Sequence, residues 1–347
     1  MNFSNKLVSW YQNNKRDLPW RNTVNPYYIW LSEIILQQTR VLQGTPYYLA
    51  FLKAFPTIED LANASEDKVL KMWQGLGYYS RARNLHFTAK DIVNNFGGEF
   101  PKDHSKVLKF KGIGVYTAAA ITSFAFDMPY AVVDGNVIRV LSRVFGVSTP
   151  FDTSAGKKEF QQLAQELLIE KDAAIYNQAI MEFGAMQCKP KSPDCSSCPM
   201  QDFCVAYTVN SVAELPVKSK KIKVENRFLH YLMIEQADNI FLGKRKSGIW
   251  TGLYEFPFLE FPIKMNEKQV MQSDEWSKVF FDSKCDVKSV SSEFTHILSH
   301  QKIQAQFWQI KAADVVLREY ELIPKNSLLE FPVSRLTEKY FETIELG

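Results

Sequence analysis

The chain has 347 residues, of which 46% are hydrophobic and 23% are charged. This composition is typical of a folded protein, and the length predicts two or three domains. The formal net charge of +3 is too small to identify a nucleic-acid partner, because domains that attract nucleic acid are usually strongly basic. The most apolar run, at 118–133, is interrupted by Asp127 and Pro129, and the start of the chain lacks the apolar core of a signal peptide. We therefore expect a cytoplasmic protein without a membrane span.

Helical signals dominate the first part of the chain, Phe3–Cys204. The pairs Asn25–Pro26 and Thr45–Pro46 predict helix starts, because Asn and Thr cap helices and proline suits the first turn. Gly97–Gly98 and Gly146 predict helix ends. Apolar residues recur between these signals at helical spacing, so we predict an all-α first region.

Glu33 is an acid flanked on both sides by bulky apolar residues of the predicted helix 30–36. Burial raises the pKa of a carboxyl group, so Glu33 could stay protonated near neutral pH and act as a general acid. The alternative is a glutamate that faces solvent, which these apolar neighbours disfavour.

The segment Leu108–Ala118 joins two helical stretches and contains Gly112 and Gly114. Glycines allow unusual backbone angles and close approach, which leaves amides at a helix start free to hold a phosphate. A plain helix-turn-helix corner would also use two glycines, but Lys109 and Lys111 favour a phosphate contact.

Asp134 precedes a helical run and is followed by Gly135 and Asn136. As an N-cap it would be stabilised in its ionised form by free amides and the helix dipole. Structural capping is the simpler interpretation, and it is compatible with catalysis. A protonated Glu33 and an ionised Asp134 together would suit cleavage of a glycosidic bond through an oxocarbenium-like transition state.

Five cysteines include four that lie close together in the sequence: Cys188, Cys195, Cys198 and Cys204. This crowding in a long chain is not typical of a disulfide framework. Four thiolates can hold a [4Fe-4S] cluster, whereas structural zinc sites usually have two short C-x-x-C pairs, and here only Cys195 and Cys198 are so paired. The spacing favours the cluster over zinc.

The chain changes character after the cysteines. Residues 211–227 contain Pro216 and a run of lysines, Lys218, Lys220, Lys221 and Lys223, which is typical of an exposed linker. Beyond it, short apolar runs at 228–234, 240–242 and 303–310 predict strands. The second half is therefore predicted to be an α+β domain.

The cysteine spacing and the 108–118 segment resemble the endonuclease III superfamily of DNA glycosylases, the latter as its helix-hairpin-helix. Longer motifs resemble the adenine-specific MutY family within it: Leu18–Arg21, Ser32–Arg40, Gly75–Arg81, Val133–Val137 and Asn177–Ala185. The resemblance implies a glycosylase region at 1–210, with a six-helix barrel at about 26–134 and an iron-sulfur domain formed by 1–25 and 135–210. A linker at 211–226 and a MutT/Nudix-like lesion-recognition domain at 227–347 would follow.

The same resemblance implies roles for individual residues. Tyr116 and Asn136 would support Asp134 and the sugar. The DNA and adenine contacts would come from Trp20, Arg21, Gln38, Thr39, Leu76, Gly77, Tyr78, Gly112, Gly114 and Gln178. Gln38 and Tyr78 would fill the gap left by the flipped base, although tyrosines such as Tyr78 also serve in cores. The implied substrate is double-stranded DNA with adenine paired with 8-oxoguanine or G, bound by a monomer at the nucleoid.

The second half resembles the MutT-like domain of that family through Gly248–Pro257 and Phe294–His296. No R-E-x-x-E-E cluster follows Pro257, so this domain should bind and not hydrolyse. Thr295 would contact 8-oxoguanine, while His296 and His300 could equally be structural.

Three other functions remain as alternatives. Bifunctional lyases of the superfamily carry a lysine two residues after the second hairpin glycine to form a Schiff base, but this chain has Tyr116 there. A non-enzymatic iron-sulfur protein would leave Glu33 and Asp134 without a purpose. A Nudix hydrolase would need the absent carboxylate cluster.

Overall fold

The computed structural model describes residues 3–219, 224–281, 283–298 and 300–344, so Lys220, Lys221 and Lys223 of the predicted linker lie outside the described residues. The chain forms two compact units. The first comprises Met1–Asn63 and Asn84–Lys220, and the second comprises Ala64–Arg83 and Lys221–Gly347. The break at 220/221 falls within the predicted linker, whereas the sequence did not predict that Ala64–Arg83 belongs to the second unit.

The described region up to Thr208 consists of helices that are connected to one another by loops or short 3₁₀ turns. The helices are α1 (Phe3–Asn14), α2 (Pro26–Leu36), α3 (Val41–Ala54), α4 (Ile58–Asn63), α5 (Glu66–Trp73), α6 (Ser80–Phe96), α7 (His104–Val107), α8 (Val115–Phe126), α9 (Gly135–Phe145), α10 (Ser154–Glu166), α11 (Ala173–Met186) and α12 (Val205–Thr208). The predicted all-α region is thereby confirmed.

Local caps explain most of these boundaries. Asn25 accepts hydrogen bonds from the amides of Tyr27 and Tyr28, and Pro26 occupies the first turn of α2. The predicted start at Thr45–Pro46 is wrong, because α3 begins at Val41 and Pro46 lies inside it. The Thr45 hydroxyl instead donates to the carbonyl of Val41 at 2.8 Å, so it bonds back within the helix and caps nothing.

The first unit has a core between α1, α9, α10 and α11. Leu7 of α1, Val140 of α9, Phe160 of α10 and Phe183 of α11 are almost fully buried in it. The apolar positions of α9 recur three and four residues apart, so one face of this helix enters the core and its start remains free to carry polar groups.

Eight strands form one mixed sheet in the second unit: β1 (Glu225–Gln236), β2 (Asn239–Lys244), β3 (Tyr254–Glu255), β4 (Phe258–Phe261), β5 (Cys285–Val290), β6 (Phe294–Ile297), β7 (Gln301–Ala312) and β8 (Glu321–Pro324). The central strands β1 and β7 run parallel, with Tyr231 opposite Phe307. The strands β2 and β4 pair with β1, and β5 and β6 with β7, all antiparallel.

Both faces of this sheet are covered, which explains why β1 is continuously buried at 229–234 and mostly apolar there. Tyr231 and Met233 point to one core with α15 (Arg335–Phe341). Leu232 and Ile234 point to the other core, with α13 (Glu267–Met271) and α14 (Asp274–Phe280). The predicted α+β second half is confirmed.

The segment Ala64–Arg83 attaches to the second unit through side chains that reach backbone carbonyls. The Lys71 ammonium donates to Leu329 O at 2.5 Å and Phe331 O at 3.2 Å, and the Tyr79 hydroxyl donates to Val333 O at 3.2 Å. Polar contacts of this kind carry little pattern in the sequence, so the grouping was not predictable from periodicity.

Candidate active site

A cavity of about 1040 Å³ opens in the first unit. Its walls come from the 3₁₀ turn Pro19–Arg21, from α2 and the turn after it, and from the starts of α8, α9 and the middle of α11. The sequence-predicted residues that line it are Trp20, Arg21, Glu33, Gln38, Thr39, Tyr116, Asp134, Asn136 and Gln178. Helices distant in sequence thus place both predicted acids on one cavity, together with five of the eleven residues predicted to contact DNA or adenine: Trp20, Arg21, Gln38, Thr39 and Gln178.

Glu33 lies on α2, among residues that are buried on every side of the helix, and is 8% exposed. The pKa of its carboxyl group is raised to about 7, chiefly by burial; the hydrogen bond from Tyr116 and the charge of Arg21 act to lower it, and the nearby charge of Asp134 acts to raise it. The solvent-facing alternative is therefore wrong, and a substantial fraction of Glu33 is protonated at neutral pH.

Asp134 caps α9. Its Oδ1 accepts the amides of Asn136 and Val137, both at 2.8 Å, and its Oδ2 accepts the side-chain amide of Asn136 at 2.7 Å. Burial is the largest influence and raises the pKa of Asp134, whereas the three hydrogen bonds and the charge of Arg139 lower it. The predicted cap is present, and the burial that opposes its effect was not predicted.

Arg139 fixes the side chain that holds Asp134. Its guanidinium donates to Asn136 Oδ1 at 2.8 Å, which turns the Asn136 amide nitrogen toward the carboxylate. The same guanidinium donates to the carbonyls of Gly184 at 2.6 Å and Cys188 at 2.7 Å. The position of Asn136 is therefore determined by α9, the end of α11 and the start of the cysteine loop together.

Tyr116 connects the hairpin segment Leu108–Ala118 to Glu33. It stands in the first turn of α8, and its hydroxyl donates to Glu33 Oε2 at 2.6 Å and lies 3.7 Å from the sulfur of Met181. Burial raises the pKa of Tyr116 well above its ordinary value, so the phenol stays protonated and remains a donor.

The remaining wall residues are held from behind by groups outside the predicted set. The ring of Trp20 packs edge-on against Tyr48 at 5.4 Å. Arg21 donates to both oxygens of Glu182, at 3.0 and 2.8 Å, and Arg16 binds the same carboxylate. Arg16, Arg139 and Glu182 were not predicted as site residues, because most of their partners lie far away in the sequence. Glu182 lies inside the family motif Asn177–Ala185, and that position was the signal that could have identified it as a site residue.

The two hairpin glycines differ. Gly112 has φ +81°, and a Cβ there would lie 2.6 Å from the Asn84 side chain, so both angle and space require glycine. Gly114 has φ −94°, which any residue adopts, and nothing lies within 4 Å of a Cβ built on it. The expectation of unusual angles therefore holds for Gly112 only, while Gly114 leaves open space before the amides of α8.

Gln38 and Thr39 lie in the turn after α2, and Gln38 is exposed with φ +58°. Leu76, Gly77 and Tyr78 belong to the second unit instead. Tyr78 is 51% exposed with φ +49°, which argues against the core interpretation of this ring, whereas Leu76 is buried.

The turn at 75–78 is held by contacts with other residues of the segment Ala64–Arg83. The carbonyl of Gly77 accepts from Trp73 and Arg81, each at 3.1 Å, and the Arg81 guanidinium lies 5.7 Å from the Tyr78 ring. Thr295 is exposed on β6 of the same unit, next to His296, which packs against Trp250 at 5.6 Å.

The cysteine loop lies against the core of the first unit, which contacts Cys188, Cys198 and Cys204. Burial raises the pKa of Cys195, Cys198 and Cys204, and each of these thiols also interacts electrostatically with other cysteines of the set. Within the described ranges, no three His, Cys, Asp or Glu side chains are arranged to hold a single metal ion.

Buried Arg143 lies beside these thiols. It donates to the sulfur of Cys188 at 3.5 Å and to the carbonyls of Lys189 and Pro190 at 2.7 and 3.1 Å. Four cysteines beside a fixed cation suit an anionic iron-sulfur cluster, to which they would bind as thiolates. The four cysteines would hold this cluster, and Lys189 and Lys191 on the same loop are exposed.

Three protein-family models match the chain. The HhH-GPD superfamily base excision DNA repair protein matches residues 31–169, the iron-sulfur binding domain of endonuclease III matches 188–204, and the NUDIX domain matches 230–343. The iron-sulfur match spans the four cysteines, so the prediction that the chain carries a [4Fe-4S] cluster is confirmed.

Among curated proteins, the adenine DNA glycosylase of Buchnera aphidicola subsp. Baizongia pistaciae is 36% identical over 86% of this chain and 83% of its own length. Two solved structures share the fold of the helical region. A thermostable thymine-DNA glycosylase has a TM-score of 0.56 at 30% identity and covers 60% of this chain and 95% of its own. An endonuclease III in a non-covalent DNA complex has a TM-score of 0.52 at 21% identity, with 60% and 94% covered.

Within the part of the chain that the structure describes, no helix is long and apolar enough to cross a membrane. The family matches confirm the predicted arrangement of a helix-hairpin-helix glycosylase region, an iron-sulfur motif and a Nudix-like domain. The chain belongs to the adenine DNA glycosylases, the MutY family of base-excision repair enzymes.

Proposed function

We propose that this enzyme hydrolyses the N-glycosidic bond of adenine paired with 8-oxoguanine, and also with G, and does not cut the DNA strand. The observation that carries the proposal is that Glu33 and Asp134 line one cavity in different environments. Glu33 accepts one hydrogen bond and has a pKa of about 7, whereas Asp134 accepts three. In such a pair, one carboxyl group can donate a proton while the other stays ionised and stabilises a positive charge.

Glu33 in its protonated form donates a proton to a ring nitrogen of adenine. The bond between this base and the C1′ of the sugar then breaks, and its electron pair leaves with the neutral base. The carboxylate of Asp134 stabilises the positive charge that develops at C1′, or forms a short-lived covalent bond to C1′. Water adds to C1′, and its proton returns to Glu33, which restores the starting state.

Asn136 and Tyr116 support these two acids. Asn136 holds Oδ2 of Asp134 in place, and Tyr116 keeps the carboxyl of Glu33 oriented toward the cavity. No step of this chemistry uses the cluster, which has a structural role in the cysteine loop.

The absence of strand cleavage follows from the groups at the cavity. Strand cutting by β-elimination starts with an amine that forms a Schiff base. None of the described residues that line the cavity is a lysine, and the position of the family's lyase lysine is occupied by Tyr116. A phenol cannot form an imine, so the abasic sugar is left intact.

The DNA contacts are assigned by position in the family motifs. Trp20, Arg21 and Gln178 would bind the flipped adenine, and flipping costs a few kcal/mol as an order of magnitude. Gln38 would enter the duplex as one wedge, with Thr39 beside it. The backbone around Gly112, together with the open space at Gly114, would hold a phosphate at the start of α8.

The second unit would read the opposite base. Thr295, exposed on β6, would contact 8-oxoguanine, and Tyr78 would act as the second wedge, with Leu76 and Gly77 beside it. The proposed domain limits remain 1–210, 211–226 and 227–347. The enzyme would act on duplex DNA as a monomer.

Incubation with three duplexes tests the proposal: one with adenine opposite 8-oxoguanine, one with thymine glycol and one without a lesion. We expect free adenine from the first duplex only, and strand breaks only after alkali. Strand breaks before alkali, or a borohydride-trapped covalent complex in stoichiometric yield, would contradict the monofunctional mechanism. Wild-type rates in both Glu33→Gln and Asp134→Asn would contradict the catalytic assignment.

A further inference from the structure

Tyr11 contacts two residues of the cavity wall from behind without lining the cavity itself. It belongs to α1, is 5% exposed, and packs in the core between α1 and α11. In the sequence it is one apolar position of an amphipathic helix, and that packing role alone would not require a hydroxyl group.

The hydroxyl of Tyr11 donates to Gln178 Oε1 at 2.6 Å. Among the described residues it is the hydrogen-bond partner that fixes the Gln178 side chain. A glutamine amide has one oxygen acceptor and two N–H donors. Because the oxygen is taken from behind, the nitrogen is the end that remains for a molecule in the cavity.

The ring of Tyr11 meets the second wall residue. The Arg21 guanidinium lies 5.6 Å from the ring centroid, within the range of a cation–π contact. Arg21 has further restraints, since it also binds Glu182 and donates to Arg16 O at 3.1 Å. Within the described part of the chain, Tyr11 is the one hydrogen-bond partner of the Gln178 side chain, so loss of the Tyr11 hydroxyl affects Gln178 more than Arg21.

We propose that Tyr11 is a positioning residue, which sets the amide of Gln178 so that its nitrogen donates to an acceptor atom of the bound purine. This inference rests on the proposed function, because it assumes that the flipped adenine occupies the cavity. Tyr11 does not touch the base. It acts through Gln178, and burial raises the pKa of its phenol, so it remains a donor at neutral pH.

A double-mutant cycle with Tyr11→Phe, Gln178→Ala and the combined variant tests this role. Tyr11→Phe keeps the ring, its packing and the contact with Arg21 and removes the hydroxyl alone. With the full-length holoenzyme and a duplex that carries adenine opposite 8-oxoguanine, we expect single-turnover release of adenine to slow by about tenfold, the size of one oriented hydrogen bond. In the Gln178→Ala background the same change should have no further effect.

Tyr27→Phe is the matched control, because its buried hydroxyl donates to Phe55 O at 2.9 Å and Tyr27 does not line the cavity. Its rate should equal that of the wild type. Effects of Tyr11→Phe and Gln178→Ala that multiply would assign Tyr11 a general structural role and overturn the inference, as would a wild-type rate in Tyr11→Phe. Absence of adenine release by the wild type would overturn the proposed function and this inference with it.

Discussion

Replacement of Glu33 by glutamine should separate catalysis from stability. Glutamine keeps the shape of the side chain and can still accept the hydrogen bond from Tyr116, but it cannot transfer a proton to the base. General acid catalysis typically contributes on the order of 10²- to 10⁴-fold to a rate. We expect Glu33→Gln to lose at least this much of the rate of adenine release, while DNA binding by phosphate contacts is retained.

The same substitution should stabilise the fold at neutral and alkaline pH. The pKa of Glu33 is raised from 4.5 to about 7, so the folded protein binds this proton more tightly than the unfolded chain does. This contribution to stability is complete below pH 4.5 and is lost as the pH rises through 7. One unit of pKa corresponds to about 1.4 kcal/mol, so the full displacement is on the order of 3 kcal/mol. Glutamine carries no charge at any of these pH values and avoids the loss.

Urea unfolding of the wild type and of Glu33→Gln at pH 5 and pH 8 measures this effect. The free energy of unfolding of the variant, relative to that of the wild type, should be higher at pH 8 than at pH 5 by up to about 3 kcal/mol. The pH dependence of single-turnover adenine release gives an independent measure, and the wild-type rate should fall as the pH rises through about 7. An equal stability difference at both pH values, together with a rate that stays constant above pH 7, would refute the raised pKa.

Four further outcomes are expected. Asp134→Asn should slow adenine release by on the order of 10²- to 10³-fold, since the charge opposite the sugar is lost while a cap remains; an unchanged single-turnover rate would contradict this role. Tyr116→Phe removes a hydrogen bond that lowers the pKa of Glu33, so the fall of rate with pH should move to higher pH, and a move to lower pH would contradict it. Thr295→Ala should reduce the preference for 8-oxoguanine over G opposite adenine, measured as a ratio of rates, whereas an unaltered ratio would exclude a lesion contact. Cys198→Ser should lose iron and visible absorbance, and an unchanged spectrum would contradict ligation by this thiol.

Local patterns predicted the fold class because the signals are short-range. The cap at Asn25 and the glycine at Gly146 lie next to the boundaries that they produce. The apolar run of β1 reflects burial on both faces of a sheet. The failure at Thr45–Pro46 has the same origin, because a cap followed by proline is a valid start only if the preceding residues do not already form a helix, and here α3 begins at Val41.

Contacts between distant segments were beyond such reasoning. Tyr11 and Gln178 are separated by 167 residues, and Arg21 and Glu182 by 161. The attachment of Ala64–Arg83 to the second unit depends on single side chains such as Lys71 that reach backbone carbonyls. Neither kind of contact produces periodicity, so the sequence indicated wall residues through family motifs and left their supports unidentified.

The number of donors, and not burial alone, distinguishes the two acids. Burial raises the pKa of both Glu33 and Asp134, so burial by itself would favour two neutral carboxyl groups and leave no charge to stabilise the sugar. At Asp134, two backbone amides and Asn136, whose orientation Arg139 fixes, oppose the effect of burial on the pKa. Glu33 lies in the middle of a helix, where the backbone amides are already bonded, and it receives one donor from Tyr116. The start of a helix therefore suits the acid that must stay ionised, and the interior of a helix suits the acid that must keep its proton.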